Sequence, residues 1–226
     1  MKTAFVLQFL FLITVSYSQK LQLSVYYEAL CIDTVNFFRD QLMPTYNEYS
    51  DRMDLKLIPY GKAGHYWNQA TSKYEFWCQH GAQECHLNKI HACGLYILPF
   101  NSAINFTSCL LQYRRTARHH CQPILGNKIR KMNRCMATHA DELLAKHGNA
   151  TAEIGLSFVP TIVPENDSCY ARRDSLYRNF RQAFRDEYAA KYQTYPDDTI
   201  PDREQKKNID NLCGPEFPLW MFANRK

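Results

Sequence analysis

Ser24-Val-Tyr-Tyr-Glu-Ala-Leu-Cys-Ile-Asp-Thr-Val-Asn-Phe-Phe38 is the stretch whose reading decides the fold. Val25, Tyr26 and Tyr27 are β-branched or aromatic and suit a buried strand. Val35, Phe37, Phe38 and Leu42 then recur at roughly helical spacing. Cys31 falls at the junction, where the free N–H groups of a helix start favour a thiolate. A strand, a Cys-x-x-Cys pair and a helix would together make a redox site. Here the fourth position of that pattern is Thr34.

Working back from this stretch, Lys2 precedes an apolar run from Ala4 to Val15 and then Ser16-Tyr17-Ser18. Small residues stand at the two positions a signal peptidase reads, which predicts a signal peptide over 1–18, cleaved after Ser18. The alternative is an uncleaved anchor, but a spanning helix needs about 20 apolar residues, more than this run offers. No later run is long and apolar enough to span, so no membrane span is expected. The formal net charge of +5 includes Lys2. What remains is mildly basic, permits loose attraction to anionic glycans or lipid head groups, and does not call for nucleic acid.

All nine cysteines lie beyond residue 18. A chain entering the secretory path meets an oxidising compartment, where cysteines pair. Setting Cys31 aside leaves Cys78, Cys85, Cys93, Cys109, Cys121, Cys135, Cys169 and Cys213 for disulfides whose connectivity spacing alone does not choose. Cys169 and Cys213 are candidate partners that would pin the tail. The odd cysteine is then the one at the helix start, and a free thiol there could also link two chains into a disulfide-bonded dimer. Asn105-Phe-Thr107, Asn149-Ala-Thr151 and Asn166-Asp-Ser168 are glycosylation acceptors that fit the same route.

Working forward, Pro44 is expected to end or kink the first helix. Met53, Leu55 and Leu57 alternate in a strand closed by Pro59 and Gly61, so strand, helix and strand make a βαβ unit with parallel strands. Lys62 to Lys73 reads as a surface connection, and Tyr74 to Trp77 as a short strand or packed loop. From Cys78 to about His147 the apolar spacing is helical through Leu87, Ile90 and Leu95, then Leu110, Leu111 and Tyr113, then Ile129, Met132 and Met136. That is a disulfide-stapled helical insertion, about 78–150. The β pattern resumes from Ile154 to Val163. Pro164 to Asp167 is a turn, and Ser168 to Ala171 is a candidate return strand. Asp174 to Tyr192 then forms an amphipathic helix with Asp174 as N-cap. The tail, 193–226, reads as irregular.

Cys78-Gln-His-Gly-Ala-Gln-Glu-Cys-His-Leu-Asn-Lys-Ile-His-Ala-Cys93 resembles, at every fixed position, the C-Q-H-G-x2-E-C-x2-N-x4-C signature of the gamma-interferon-inducible lysosomal thiol reductase (GILT) family. Tyr26 to Cys31 looks like that family's active-site approach, and Val159-Pro160-Thr161 sits where it carries a cis-proline. The resemblance implies an α/β fold, a thioredoxin-like core with a helical insertion over residues 19–192. It also implies a reductase of protein disulfides working in acidic lysosomal compartments. Its attacking role falls on Cys31, its resolving position on Thr34 and its cis-proline on Pro160. A threonine hydroxyl cannot resolve a mixed disulfide, so release would need an outside thiol such as glutathione. Asp33 beside Cys31 opposes a second negative charge, or else simply favours the helix start.

Other chemistries find less support. Metal is not expected: His80, His86, His91, His119 and His120 lie near cysteines, but the cysteines lack the close C-x2–4-C knuckle of structural zinc. Serine–histidine catalysis has no G-x-S-x-G motif, and no cofactor is implied. The basic residues Arg114, Arg115, Arg118, Arg130, Lys131 and Arg134 read as a solvated helical face. Two functions follow. One is a secreted or lysosomal oxidoreductase with a monothiol Cys-x-x-Thr site and reduced or lost reductase activity, acting on protein or peptide disulfides. The other is a non-catalytic binding protein for secreted or cell-surface partners.

Overall fold

The computed structural model describes residues 19–165, 170–197 and 199–200. The expected signal peptide, Asn166, Cys169, Cys213 and most of the tail lie outside them. Strand β1 (Leu21–Tyr27) leads into helix α1 (Ile32–Phe37), a wider π-helical turn (Phe38–Leu42) and α2 (Met43–Tyr49). The chain returns in β2 (Met53–Pro59), parallel to β1 with Leu23 opposite Leu55 and Val25 opposite Leu57. The expected βαβ unit is therefore present. Pro44 neither ends nor breaks the helical run. It lacks the N–H that would donate to Asp40, and the wider turn just before it lets the run pass.

The expected surface connection after β2 contains a strand of its own, β3 (Gly64–Asn68), paired antiparallel with β4 (Lys73–Trp77) in a separate hairpin. Five helices follow: α3 (Ala82–Ile97), α4 (Phe100–Tyr113), α5 (Ala117–Leu125), α6 (Ile129–Thr138) and α7 (Ala140–Ala152). They bury a core of their own around Phe106, Leu110, Leu125 and Met132. Cys78–Cys85, Cys93–Cys135 and Cys109–Cys121 are bridged. This is the stapled insertion.

Of the stretch from Ile154 to Val163 only the last three residues are strand, in β5 (Thr161–Pro164), which also takes in Pro164 from the expected turn. Gly155 turns the chain at φ +64° and Pro160 has no N–H to give a ladder. β5 runs antiparallel to β1, Tyr26 opposite Thr161, so the sheet order is β2-β1-β5. The candidate return strand is corrected: Ser168 lies outside the described residues, and Tyr170 and Ala171 open a helix, α8 (Tyr170–Arg178). That segment has no period-2 apolar alternation to hold a strand. Asp174 is accordingly inside α8, where it accepts from Arg178 at 2.7 Å, and is no N-cap.

The single helix expected to Tyr192 is two, because Asn179 (φ −145°, ψ 74°) separates α8 from α9 (Phe180–Tyr192). Gln41 closes the break. Its Nε2 donates to the Tyr177 carbonyl and its Oε1 accepts from the Phe180 N–H, both at 2.9 Å. The largest fully buried side chains include Tyr27, Phe37, Phe38, Phe180, Phe184 and Tyr188. β1, the first helical run and α9 therefore share one aromatic core. Phe37 meets Phe180 edge-on at 5.4 Å between ring centroids.

Candidate active site

The sheet order places the site. β1 runs towards Cys31 and β5 runs away from Pro160, and their antiparallel pairing sets those two ends side by side. Cys31 Sγ lies 3.8 Å from the Val159 carbonyl oxygen, and the Val159–Pro160 peptide is cis. Cys31 is 9% exposed and is the one free cysteine among the described residues. Its surroundings are largely apolar: Ile32 is 54% exposed on the solvent side, and the Phe158 and Tyr177 rings meet at 5.7 Å. The Tyr177 hydroxyl is held above the usual phenol range by burial first, then by the charges of Asp33 and Cys31. Helix α8 reaches this corner through Tyr177, whose ring meets Phe158 next to Val159. Asp33 is exposed.

Thr34 is fully buried, and its hydroxyl has no hydrogen-bond partner. The turn joining it to Cys31 is formed, since the Val35 N–H donates to the Cys31 carbonyl at 3.2 Å. Thr34 therefore stands one helical turn from Cys31, presenting a hydroxyl at the position that the Cys-x-x-Cys pattern gives to a second sulfur.

The residues leading into Cys31 are held by one face of α3. Glu84, Asn88 and His91 stand at i, i+4 and i+7, all buried. They meet residues 30, 29 and 27 in turn. Glu84 Oε2 accepts from the Leu30 N–H at 3.2 Å, and Asn88 Oδ1 accepts from the Ala29 N–H at 3.0 Å. His91 Nδ1 lies 3.0 Å from the Tyr27 hydroxyl. Gly81 enters α3 at φ +82°, a conformation L side chains rarely adopt, and Glu84 Oε1 accepts the His80 N–H at 3.0 Å. Cys85 ties this first turn to Cys78. The Q-H-G…E-C…N signature is therefore the mould of the loop that carries Cys31. Reading α3 by its apolar residues alone passed over this polar face; its signal was Glu, Asn and His at i, i+4 and i+7.

Burial keeps His91 neutral, lowering its pKa from 6.5 to about 3. Below pH 6.5 the unfolded chain binds a proton that the folded chain refuses, so stability falls as pH drops from 6.5 towards 3. Between pH 6.5 and 5 the loss from His91 is about 2 kcal/mol at about 1.36 kcal/mol per pH unit. His147, lowered to about 4 mainly by burial, acts in the same direction. Urea midpoints at pH 7 and pH 5 are expected to show this fall, with His91→Gln removing about 2 kcal/mol of it. A variant with unchanged pH dependence would assign the fall to other groups.

The remaining expected residues are dispersed. Asn105 on α4 and Asn149 on α7 are exposed, as glycan acceptors must be. Arg130, Lys131 and Arg134 are exposed on α6, and His119 and His120 on α5, where the adjacent Cys121 is bridged to Cys109. No helix among the described residues is long and apolar enough to cross a membrane.

Residues 22–140 match the family described as Gamma interferon inducible lysosomal thiol reductase (GILT). The chain is 29% identical over 162 residues to the Gamma-interferon-inducible lysosomal thiol reductase-like protein of Anopheles gambiae, covering 63% of this chain and 66% of that protein. It is 30% identical over 176 residues to GILT-like protein 1 of Drosophila melanogaster, covering 67% and 69%. The chain thus spans about two thirds of the length of these curated relatives. Among solved structures it is similar to a variant of Wolbachia pipientis alpha-DsbA1, at 13% identity and a TM-score of 0.46, over 76% of this chain and 85% of that one.

Proposed function

This chain belongs to the gamma-interferon-inducible lysosomal thiol reductase family, and on that premise we propose that it is a monothiol disulfide-exchange protein of the secretory path, destined for the lysosomal lumen or the extracellular fluid. Its substrates are proteins or peptides that carry disulfides. The Cys31 thiolate attacks one sulfur of the substrate disulfide, forming a mixed disulfide and releasing the other substrate sulfur as a thiolate. With Thr34 unable to resolve that species, a glutathione-class thiolate attacks the Cys31 sulfur and frees the second substrate sulfur. A second thiolate then takes the first as a disulfide and returns Cys31. Two small thiols are oxidised for each disulfide reduced.

The observation that carries this reading is the placing of an unbridged sulfur against the Val159 carbonyl, with a buried threonine at the resolving position. An extended peptide laid along residues 158–160 would find exposed Ile32 beside the sulfur. The same surface would serve the second reading, a non-catalytic binder of secreted or cell-surface proteins, whose support is Thr34 itself.

The deciding experiment offers the purified chain a disulfide substrate with glutathione at acidic and neutral pH, beside Cys31→Ser. Slow turnover is expected that depends on glutathione concentration and falls to background in the variant. Equal rates for the two proteins would end the enzymatic reading and leave the binder.

A further inference from the structure

We infer that Glu28, His80 and Glu84 form a binding site for one divalent transition metal of the zinc class, beneath the loop that carries Cys31. Among the described residues this is the one group of three metal-capable side chains, their candidate ligand atoms lying within 4.8 Å of one another. Glu28 and Glu84 are fully buried, while His80 is 43% exposed and opens the site to solvent. His80 Nδ1 lies 2.6 Å from Glu84 Oε2 and 3.7 Å from Glu28 Oε2.

The hydrogen bonds show which atom is left over. Glu28 Oε1 accepts the Lys62 N–H at 2.6 Å, and both oxygens of Glu84 accept N–H groups. Glu28 Oε2 is buried, faces the imidazole and has no hydrogen-bond partner. A buried, unpaired carboxylate oxygen is costly, and its position is fixed. Gly61 packs so closely on Glu28 that a Cβ there would stand 2.1 Å from Glu28 Cγ.

Charge points the same way. Two buried carboxylates face one imidazole, which supplies a single positive charge at most. A divalent cation neutralises both carboxylates at once. One imidazole nitrogen and two carboxylate oxygens, with water on the exposed side, make a four-coordinate set suited to zinc at roughly 2.0–2.2 Å per ligand. The metal takes the place of the proton between His80 Nδ1 and Glu84 Oε2, and that proton leaves to solvent. The sequence argument against zinc concerned cysteine spacing, and Cys78 and Cys85 are indeed bridged. Here oxygen donors stand where a knuckle would use sulfur. Occupancy would fix Glu28 and, through Glu84, the Leu30 N–H, stiffening the approach to Cys31 without touching its sulfur.

The test titrates the full chain, stripped with a chelator, with zinc against a chromophoric competitor, and with cobalt followed by its visible spectrum. One equivalent is expected to bind, giving a cobalt spectrum without thiolate-to-metal charge transfer. Cys31→Ser should bind as the parent does. His80→Ala should weaken binding at least about 100-fold, in line with losing a whole ligand where outer-shell changes already cost about 10–100-fold. Glu28→Gln, which keeps the acceptor for Lys62, should do the same, and the two variants guard against one failing to fold. No saturable binding at micromolar zinc would mean that the carboxylates share a proton only and would overturn the site. So would binding that survives both variants, or binding lost in Cys31→Ser.

Discussion

Thr34→Cys is expected to raise turnover of a disulfide substrate by about 100-fold or more at millimolar glutathione. The parent must await an outside thiol to clear each mixed disulfide. A cysteine one helical turn from Cys31 would attack from within, and oriented intramolecular groups reach effective concentrations far above any millimolar reagent. The site should accept the change. Thr34 is fully buried and its hydroxyl makes no hydrogen bond, so a thiol of similar size loses no partner and costs about 1 kcal/mol or less. Rates are measured with parent, Thr34→Cys and the Cys31→Ser/Thr34→Cys double variant, the last expected to be inactive. If Thr34→Cys gains less than about threefold, resolution is not what limits this protein.

Removing the Cys93–Cys135 bridge is expected to be the most damaging change among the three described. Its cysteines are 42 residues apart, against 12 for Cys109–Cys121 and 7 for Cys78–Cys85. Loop-closure entropy then gives about 4 kcal/mol for the long bridge and roughly 2–3 kcal/mol for each short one. Cys93 and Cys135 are also 0% and 2% exposed, at the centre of the insertion's core. Cys93→Ala/Cys135→Ala, unfolded in denaturant without reductant, should lose about 4 kcal/mol. A loss below about 1 kcal/mol would show that packing alone holds the insertion.

The sequence carried the thioredoxin-like core further than the elements around it. β1, Cys31, the first helix and β2 were legible because each has a clean apolar period and a sharp boundary. The break at Asn179 was not, since Leu176, Phe180, Phe184 and Tyr188 keep their four-residue spacing straight across it. What interrupts the helix is Gln41, a distant side chain that satisfies the backbone on both sides. Pro44 does not end the helical run, as one of its two expected effects required, because a widened turn just before it absorbed the lost N–H. At the site, Cys31 could be placed from the strand–helix junction, and Thr34 and Pro160 from the family resemblance. Tyr177 could not, as its approach depends on α8 replacing a strand. Nor could the grouping of Glu28 with His80 and Glu84, which are separated along the chain by the first helical run, β2 and the β3–β4 hairpin and meet only on folding.

Two of the contacts from α3 to the approach segment go to amide groups of the main chain, at Ala29 and Leu30. Such a grip is indifferent to which side chain Leu30 carries and sensitive to how many residues lie between Tyr27 and Cys31. One inserted residue there would put every donor out of step with the helix at once and swing the thiol away from Val159, just ahead of β5. Divergence in this chain is therefore freer in lettering than in length along those few positions.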